Sequence, residues 1–139
     1  MSDIIIVDGD QLQFEPMFGN RQVMPTGPTI IHGSGQLTIN QKRVCILGDE
    51  MKVQVPATYQ IPGYTPGTGM LTIAALDSSQ QTPRCSSGAP LIVKGRQFIA
   101  RFTPIQPAQT IGPTPTPDLS APSMGKGRII SSQFFATAG

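Results

Sequence analysis

The sequence predicts a small all-β domain, and three observations indicate that class. Fifteen glycines and 14 prolines interrupt a chain of 139 residues, and both residue types disrupt helices. Charged residues make up only 13% of the chain, well below the level typical of disordered segments. Many of the apolar side chains are Ile, which is β-branched and suits a pleated sheet. A helical bundle, a coiled coil and a disordered chain are therefore excluded.

Short strands separated by turns are predicted for the first half of the chain. Asp8-Gly9-Asp10 predicts a hairpin turn, because Asp-Gly favours the positive φ angles that tight turns need. Asn40-Gln41 offers a second turn, and residues 16–29 read as a loop. The predicted strands lie on both sides of Gly9 within residues 3–14, and then at residues 30–31, 37–39, 43–47 and 51–55. The last of these alternates apolar and polar side chains most clearly.

The second half is predicted to contain fewer strands and one long irregular segment. Residues 56–69 read as a loop, and residues 70–76 favour a strand over two turns of helix because Gly and Pro flank them. Lys94-Gly95 separates two further predicted strands. Residues 104–125 carry six prolines and predict an extended linker, since proline removes the N–H groups that a sheet needs. The strands predicted in this half lie at residues 70–76, 91–93, 97–102 and 128–135.

Charge and cysteine content limit the partners and the compartment. A net charge of +2 is too small to indicate electrostatic binding of nucleic acid or membrane. The acidic start and the short apolar run at residues 4–7 do not resemble a signal peptide, and no stretch reaches the ~20 apolar residues of a membrane span. We therefore expect synthesis in the bacterial cytoplasm. There the two cysteines, Cys45 and Cys85, are expected to stay reduced.

Two segments of the chain resemble each other at an offset of 54 residues. Residues 33–47 and 87–101 each read as a turn of small residues, a short strand, a tight turn followed by a base, and a second strand. Repeated hairpins of this kind are expected to pack around a common centre. The turn and repeat positions are Gly33, Ser34, Gly35, Asn40, Gly48, Asp49, Gly88, Pro90 and Gly95.

The repeat resembles that of the PAAR family, whose members form the pointed tip of the spike in contractile injection systems. The resemblance rests on the glycine-rich step, the tight turn with its basic residue, and the ending Gly48-Asp49. It implies a small conical domain of short β-hairpins over residues 26–103. Residues 1–25 are then an N-terminal strand extension, and residues 104–139 a Pro-rich linker with a C-terminal strand. The whole chain looks more like the tips of phage tail-like particles than like a minimal type VI secretion tip.

The same resemblance implies a zinc site, and the sequence departs from it. The family holds one zinc near the apex through three His and one Cys, whereas this chain has a single His. The possible soft ligands are therefore His32, Cys45 and Cys85, which leave a fourth position for a carboxylate such as Asp77 or for water. In the other interpretation His32 is a turn residue and the cysteines are small buried side chains without metal.

The sequence leaves three functions open. The first is a structural spike tip, with one chain capping a homotrimeric β-helical spike and entering the target-cell membrane first, without nucleic acid. The Pro-rich tail would then wrap the spike or carry cargo. The second is a β-barrel or sandwich that serves as a baseplate adaptor and binds its partner laterally. The third is a small thiol enzyme, in which Cys85 and His32 would have to be adjacent.

Overall fold

The computed structural model describes residues 3–86, 89–119, 121–131 and 137–138, without the side chains of residues 3, 83–86 and 137–138. Short strands dominate the described residues, and two 3-10 helices, Asp49–Lys52 and Ser78–Gln80, join them. The strands are β1 Asp3–Ile4, β2 Gln11–Phe14, β3 Met17–Phe18, β4 Arg21–Pro25, β5 Thr38–Ile39, β6 Lys42–Arg43, β7 Val55–Gln60, β8 Tyr64–Thr65, β9 Gly67–Ala75, β10 Gln81–Ser86, β11 Ala89–Ile92, β12 Phe98–Gln106, β13 Gln109–Thr110, β14 Ser123–Ile130 and β15 Thr137–Ala138. The predicted all-β class is confirmed.

Seven strands form one antiparallel sheet in the order β2-β14-β12-β9-β7-β4-β3. Side chains alternate along its central strands, so that Phe98, Ala100 and Phe102 of β12 point into the core. The sheet curls until β14 lies against β3, where Gly125 packs on the ring of Phe18. A Cβ atom at position 125 would lie 2.7 Å from that ring, which explains the need for glycine.

The main core lies inside the curled sheet and is rich in aromatic contacts. Phe98 packs edge-on against Phe14 with ring centroids 5.5 Å apart, and Tyr59 packs against Phe102 at 5.0 Å. Edge-to-face geometry adds a favourable quadrupole interaction to the burial of the rings. The core therefore has defined packing in a chain that has no tryptophan.

The Pro-rich segment lies on the body of the protein. The buried guanidinium of Arg21 donates to the Asp118 carboxylate at 2.9 Å, to the Leu119 carbonyl at 2.7 Å and to the Ala121 carbonyl at 2.8 Å. The Tyr59 hydroxyl also donates to Asp118, at 2.9 Å, and burial raises the pKa of this phenol. These bonds attach Asp118, Leu119 and Ala121 to the large sheet.

Several predicted elements are confirmed, and others were wrong. The strand predicted at residues 70–76 is present, as β9, which begins at Gly67 and ends at Ala75. Residues 51–55 do not, because a 3-10 helix runs to Lys52 and the next strand, β7, begins only at Val55. Of the three apolar residues in this stretch, Val53 and Val55 are buried, whereas Met51 is 76% exposed. The expected loop at residues 56–69 is largely occupied by β7, β8 and the start of β9.

The turn at Asp8-Gly9 is present, but the strands beside it do not form a hairpin. β1 pairs with β15, and β2 pairs with β14. The expected linker was wrong at its start, because Pro104 lies within β12, opposite Gly69 of β9. β12 also crosses the expected boundary at residue 103, and β14 lies between β2 and β12. The N-terminal and C-terminal extensions thus each contribute a strand, β2 and β14, to the large sheet.

Candidate functional site

Three separated segments close into a ring of main-chain hydrogen bonds. The segments are residues 5–7, 44–46 and 91–93, and we call them the ring. The Ile6 N–H donates to the Ile92 carbonyl at 3.0 Å, the Ile92 N–H to the Cys45 carbonyl at 2.9 Å, and the Cys45 N–H to the Ile6 carbonyl at 2.9 Å. Each segment therefore gives and accepts one equivalent bond, as a threefold axis would require.

A second set of hydrogen bonds repeats the same symmetry. The residue after each segment donates to the residue before the next one: Asp8 to Arg43 at 2.7 Å, Leu47 to Pro90 at 2.8 Å, and Lys94 to Ile4 at 2.9 Å. The isolated bridges follow the same rule, as Val7 pairs with Val44, Ile46 with Leu91, and Val93 with Ile5. Each bridge consists of one bond from each set, so two matched sets of three hydrogen bonds relate the segments by a pseudo-threefold axis.

Each ring segment continues into a short two-stranded arm. The pairs are β1 with β15, β6 with β5, and β11 with β10. The registers match, because Ile4 lies opposite Thr137, Arg43 opposite Thr38, and Pro90 opposite Cys85. A tight turn joins β5 to β6, and β10 precedes β11 closely in the sequence, whereas the third arm pairs strands from the two ends of the chain. The C-terminal strand therefore completes the pseudo-symmetry.

Side chains on the two faces of the ring enter different clusters. The central residues Ile6, Cys45 and Ile92 are buried in the main core. The flanking residues form a second apolar cluster on the other face, made of Ile5, Val7, Val44, Leu91 and Val93 with Ile46 and Ile39 packed against it. This alternation follows from the period of two along a strand. The ring is therefore joined rigidly to the large sheet through the first cluster.

The turns after the three segments also correspond. Gly9, Gly48 and Gly95 all have positive φ, at 87°, 111° and 52°. In two copies an aspartate fixes the turn, since Asp10 accepts from the Val7 N–H and Asp49 from the Ile46 N–H, both at 2.9 Å. In the third copy the Val93 N–H donates instead to the Gln80 carbonyl at 3.0 Å.

The repeat expected at an offset of 54 residues was wrong in register and in structure. β5 and β6 do form a tight hairpin, with positive φ at Asn40 and Gln41, but β11 and β12 belong to different sheets. Gly95 corresponds to Gly48 and Gly9, and the true offsets are 39 and 47 residues. The sequence does carry this signal: Ile-Ile-Val-Asp-Gly-Asp, Val-Cys-Ile-Leu-Gly-Asp and Leu-Ile-Val-Lys-Gly-Arg each place glycine two residues after three apolar residues.

The other predicted turn residues support the second ring segment. Asp49 accepts from the Ser34 N–H at 3.0 Å and from its hydroxyl at 2.6 Å. Gly33 and Gly35 lie so close to the backbone of residues 43–44 that side chains would not fit there. Pro90 provides the carbonyl that Leu47 bonds. Gly88 lies outside the described residues.

The predicted metal ligands do not come together among the described side chains. His32 is exposed, and its Nδ1 lies 3.2 Å from Asp8 Oδ1. Cys45 is fully buried in the main core, and burial, with the nearby Asp49, Asp10 and Asp8 carboxylates, raises the pKa of its thiol. A cysteine binds zinc as the thiolate, whereas this environment favours the protonated thiol of Cys45.

Within the described residues no three His, Cys, Asp or Glu side chains are placed to hold a metal ion. These residues therefore do not fit a zinc site. The side chain of Cys85 lies outside the described side chains, so its distance from His32 is not described. Zinc binding therefore stays a prediction.

Cys45 does not have the environment of an activated nucleophile either. Cys45 is inaccessible and its thiol is held protonated, which is the opposite of a catalytic cysteine. The recess beside His32, of about 240 Å³, is lined by Pro28, Ile30, His32, Asp49, Lys52, Val53, Gln54 and Pro56, without a serine or cysteine.

None of the described helices is long and apolar enough to span a membrane.

Comparison with known proteins identifies the family. A search of curated proteins found no match. The model of the contractile injection system spike tip protein family matches residues 1–139. The sequence resemblance to PAAR-like spike tips is thereby confirmed. This structural protein, a component of an injection particle, belongs to the contractile injection system spike tip protein family.

Proposed function

We propose that one copy of this protein caps the blunt end of a homotrimeric β-helical spike and sharpens it for puncture of the target membrane. The observation that carries the proposal is the pseudo-threefold ring with its three arms. A single chain can meet three equivalent subunits equally well only if its own surface repeats three times. The ring supplies such a repeat through two matched sets of three main-chain hydrogen bonds.

The arms supply edges for main-chain pairing with the spike. Each arm is a sheet of two strands. In the hairpin of β5 and β6, Val44 bonds back to Leu37, which leaves Thr38 at the position where the N–H points away from its partner strand. A strand of the spike can add to such an edge by β-augmentation. Cys85 and Thr137 occupy the equivalent positions of the other arms.

The role is mechanical rather than catalytic. The ring is continuous with the main core, so a force applied at the arms is transmitted through packed side chains to the large sheet. A lateral adaptor of the baseplate would have no need of threefold character. The protein would reach the particle from the cytoplasm and leave the cell with it.

Binding to the spike protein of the same particle tests the proposal. We expect a complex of one tip chain with three spike chains, measured by mass photometry. Thr38→Pro removes one outward N–H of the hairpin arm without touching the bonds inside it, and is expected to weaken the complex about fivefold to tenfold. Thr114→Pro, in the exposed Pro-rich loop, is the matched control. A lateral complex of equal numbers of tip and spike chains would contradict the proposal.

A further inference from the structure

Three cations lie side by side on the outer face of the large sheet. Lys126 and Arg128 alternate with buried residues along β14, and Arg101 projects from the neighbouring strand β12. All three side chains are exposed. Lys126 lies opposite Ile99, and Arg101 opposite Met124, so these residues share one face. We call Arg101, Lys126, Arg128, Ile99 and Met124 the basic face.

The charges of the basic face are not neutralised by ion pairs. Among the described residues the ion pairs join Arg21 to Asp118 and His32 to Asp8. Two carboxylates lie near the margin of the face, and both have other partners. Glu15 accepts from the Gln97 amide at 3.1 Å, and Asp77 accepts from Ser79.

A recess of about 290 Å³ opens beside the basic face. It is lined by Asp77, Arg96, Gln97, Phe98, Ile99 and Lys126. Arg96 and Lys126 provide two cations against one carboxylate, and Ile99 provides an apolar wall. The Ser79 hydrogen bonds lower the pKa of Asp77, with a smaller contribution from Arg96, so the carboxylate stays ionised. The two cations still outnumber the one carboxylate, and this excess of positive charge favours an anion such as a phosphate group.

Apolar side chains among the cations distinguish the possible ligands. Ile99 is 46% exposed and Met124 is 50% exposed. Exposed aliphatic side chains beside lysine and arginine suit the boundary between headgroups and acyl chains of a bilayer. Single-stranded nucleic acid would need aromatic side chains for stacking, whereas Phe98 and Phe102 of β12 point into the core.

We propose that the basic face binds the anionic headgroups of a phospholipid bilayer. Juxtaposed lysine and arginine side chains are attracted to the negative surface potential of such membranes. The ring and its arms contribute none of these residues, so the proposal does not depend on docking to the spike. It gives the tip a means of adhering to the membrane that it meets.

Vesicle co-sedimentation of the full chain tests this proposal without any spike protein. We expect binding to vesicles that contain phosphatidylglycerol, little binding to phosphatidylcholine alone, and a loss of binding as salt is raised. The triple variant Arg101→Gln, Lys126→Gln, Arg128→Gln is expected to bind about 100-fold more weakly, at roughly fivefold per cation.

A matched variant removes the same number of charges elsewhere. Lys42→Gln, Arg43→Gln, Lys52→Gln changes only exposed side chains outside the basic face and is expected to bind almost as well as the unchanged protein. Equal loss in both triple variants would overturn the proposal, since net charge would then explain the binding. Binding without dependence on phosphatidylglycerol would overturn it, as would tighter binding to a DNA oligonucleotide. The dependence of binding on salt and on lipid composition, measured with the unchanged protein, tests the proposal even if a variant folds poorly.

Discussion

One side chain, Arg21, attaches the Pro-rich segment to the body of the protein. Its guanidinium is only 4% exposed, and it bonds the Asp118 carboxylate, the Ser123 hydroxyl and two carbonyls of the Pro-rich segment. The Tyr59 ring lies 5.4 Å from the guanidinium and contributes a cation–π contact. A segment with too few N–H groups for a sheet is thus held through its carbonyl groups. Asp118, Leu119 and Ala121 are therefore bound to the body of the protein.

Arg21→Met is expected to destabilise the protein by about 3 kcal/mol or more. The substitution keeps an apolar stem but leaves Asp118 beside the core without its cation, and it frees two carbonyl groups. Urea unfolding followed by circular dichroism measures the change. Arg43→Met is the control, because the Arg43 side chain is exposed and its loss is expected to cost less than about 0.5 kcal/mol. Equal stabilities of the two variants would contradict this role of Arg21.

Residue chemistry was only partly predictable from the sequence. The reading of Cys45 as a small buried side chain matches its burial in the main core. The departure of the chain from the family zinc pattern was also visible from its single His. The partners of Arg21 were not predictable, because Asp118 and Ala121 lie about 100 positions away in the sequence. Only the curl of the sheet brings them close to Arg21. Contacts of this range depend on tertiary packing.

The three turns that follow the ring segments share a backbone conformation but differ in their surroundings. Gly9 and Gly48 have open space where a Cβ atom would lie. At Gly95 a Cβ atom would meet the Ser79 carbonyl, and it would lie 2.6 Å from the Gln80 side chain. One copy of the repeat is therefore packed against the second 3-10 helix, and the other two are exposed.

Gly95→Ala and Gly9→Ala form a matched pair of substitutions. Both place a Cβ atom on a residue with positive φ, which costs about 1 kcal/mol. Gly95→Ala also forces residues 79–80 away from the ring, so its total cost is expected to reach about 3 kcal/mol. Denaturant midpoints of the two variants measure the difference. A larger loss for Gly9→Ala would show that the 3-10 helix does not pack closely on Gly95.

Strand prediction succeeded where local pattern and tertiary environment agree. β9 has flanking breakers, β-branched residues and alternating burial, and the sequence predicted it. Residues 51–55 also alternate apolar and polar residue types. A turn that begins at Gly48, however, leads the chain into a 3-10 helix first. The ring was missed because each segment contributes only three residues, and main-chain bonds between segments 39, 47 and 86 positions apart leave no signal in the composition. Its glycine spacing was the one local trace.

At the scale of the whole molecule, the ring and the large sheet form one folding unit. Ile6, Cys45 and Ile92 belong to the same apolar cluster as Phe98, Phe102 and Tyr59. The second cluster lies on the other face of the ring and is smaller. A pseudo-threefold ring is thereby built on an asymmetric body, so one chain presents three similar arms and a single, different outer surface.

This architecture predicts that the chain can be circularly permuted. β15 pairs with β1 in the same register as the hairpin of β5 and β6, so the two chain ends occupy the place of a turn. Joining the ends through a short glycine linker and opening the chain between Asn40 and Gln41 exchanges one arm turn for another. Both residues at the opened turn have positive φ, so opening also releases backbone strain.

We expect this permutant to fold, with a melting temperature within about 5 °C of the original chain. Circular dichroism and size-exclusion chromatography check its fold, and binding to the spike protein checks the ring. A control permutant opened between Met70 and Leu71 interrupts β9 in the centre of the large sheet and is expected not to fold. If the first permutant also fails to fold while the joined chain stays intact, the equivalence of the three arms is wrong. If it folds and binds the spike protein, the ring forms from its three segments whichever order connects them along the chain.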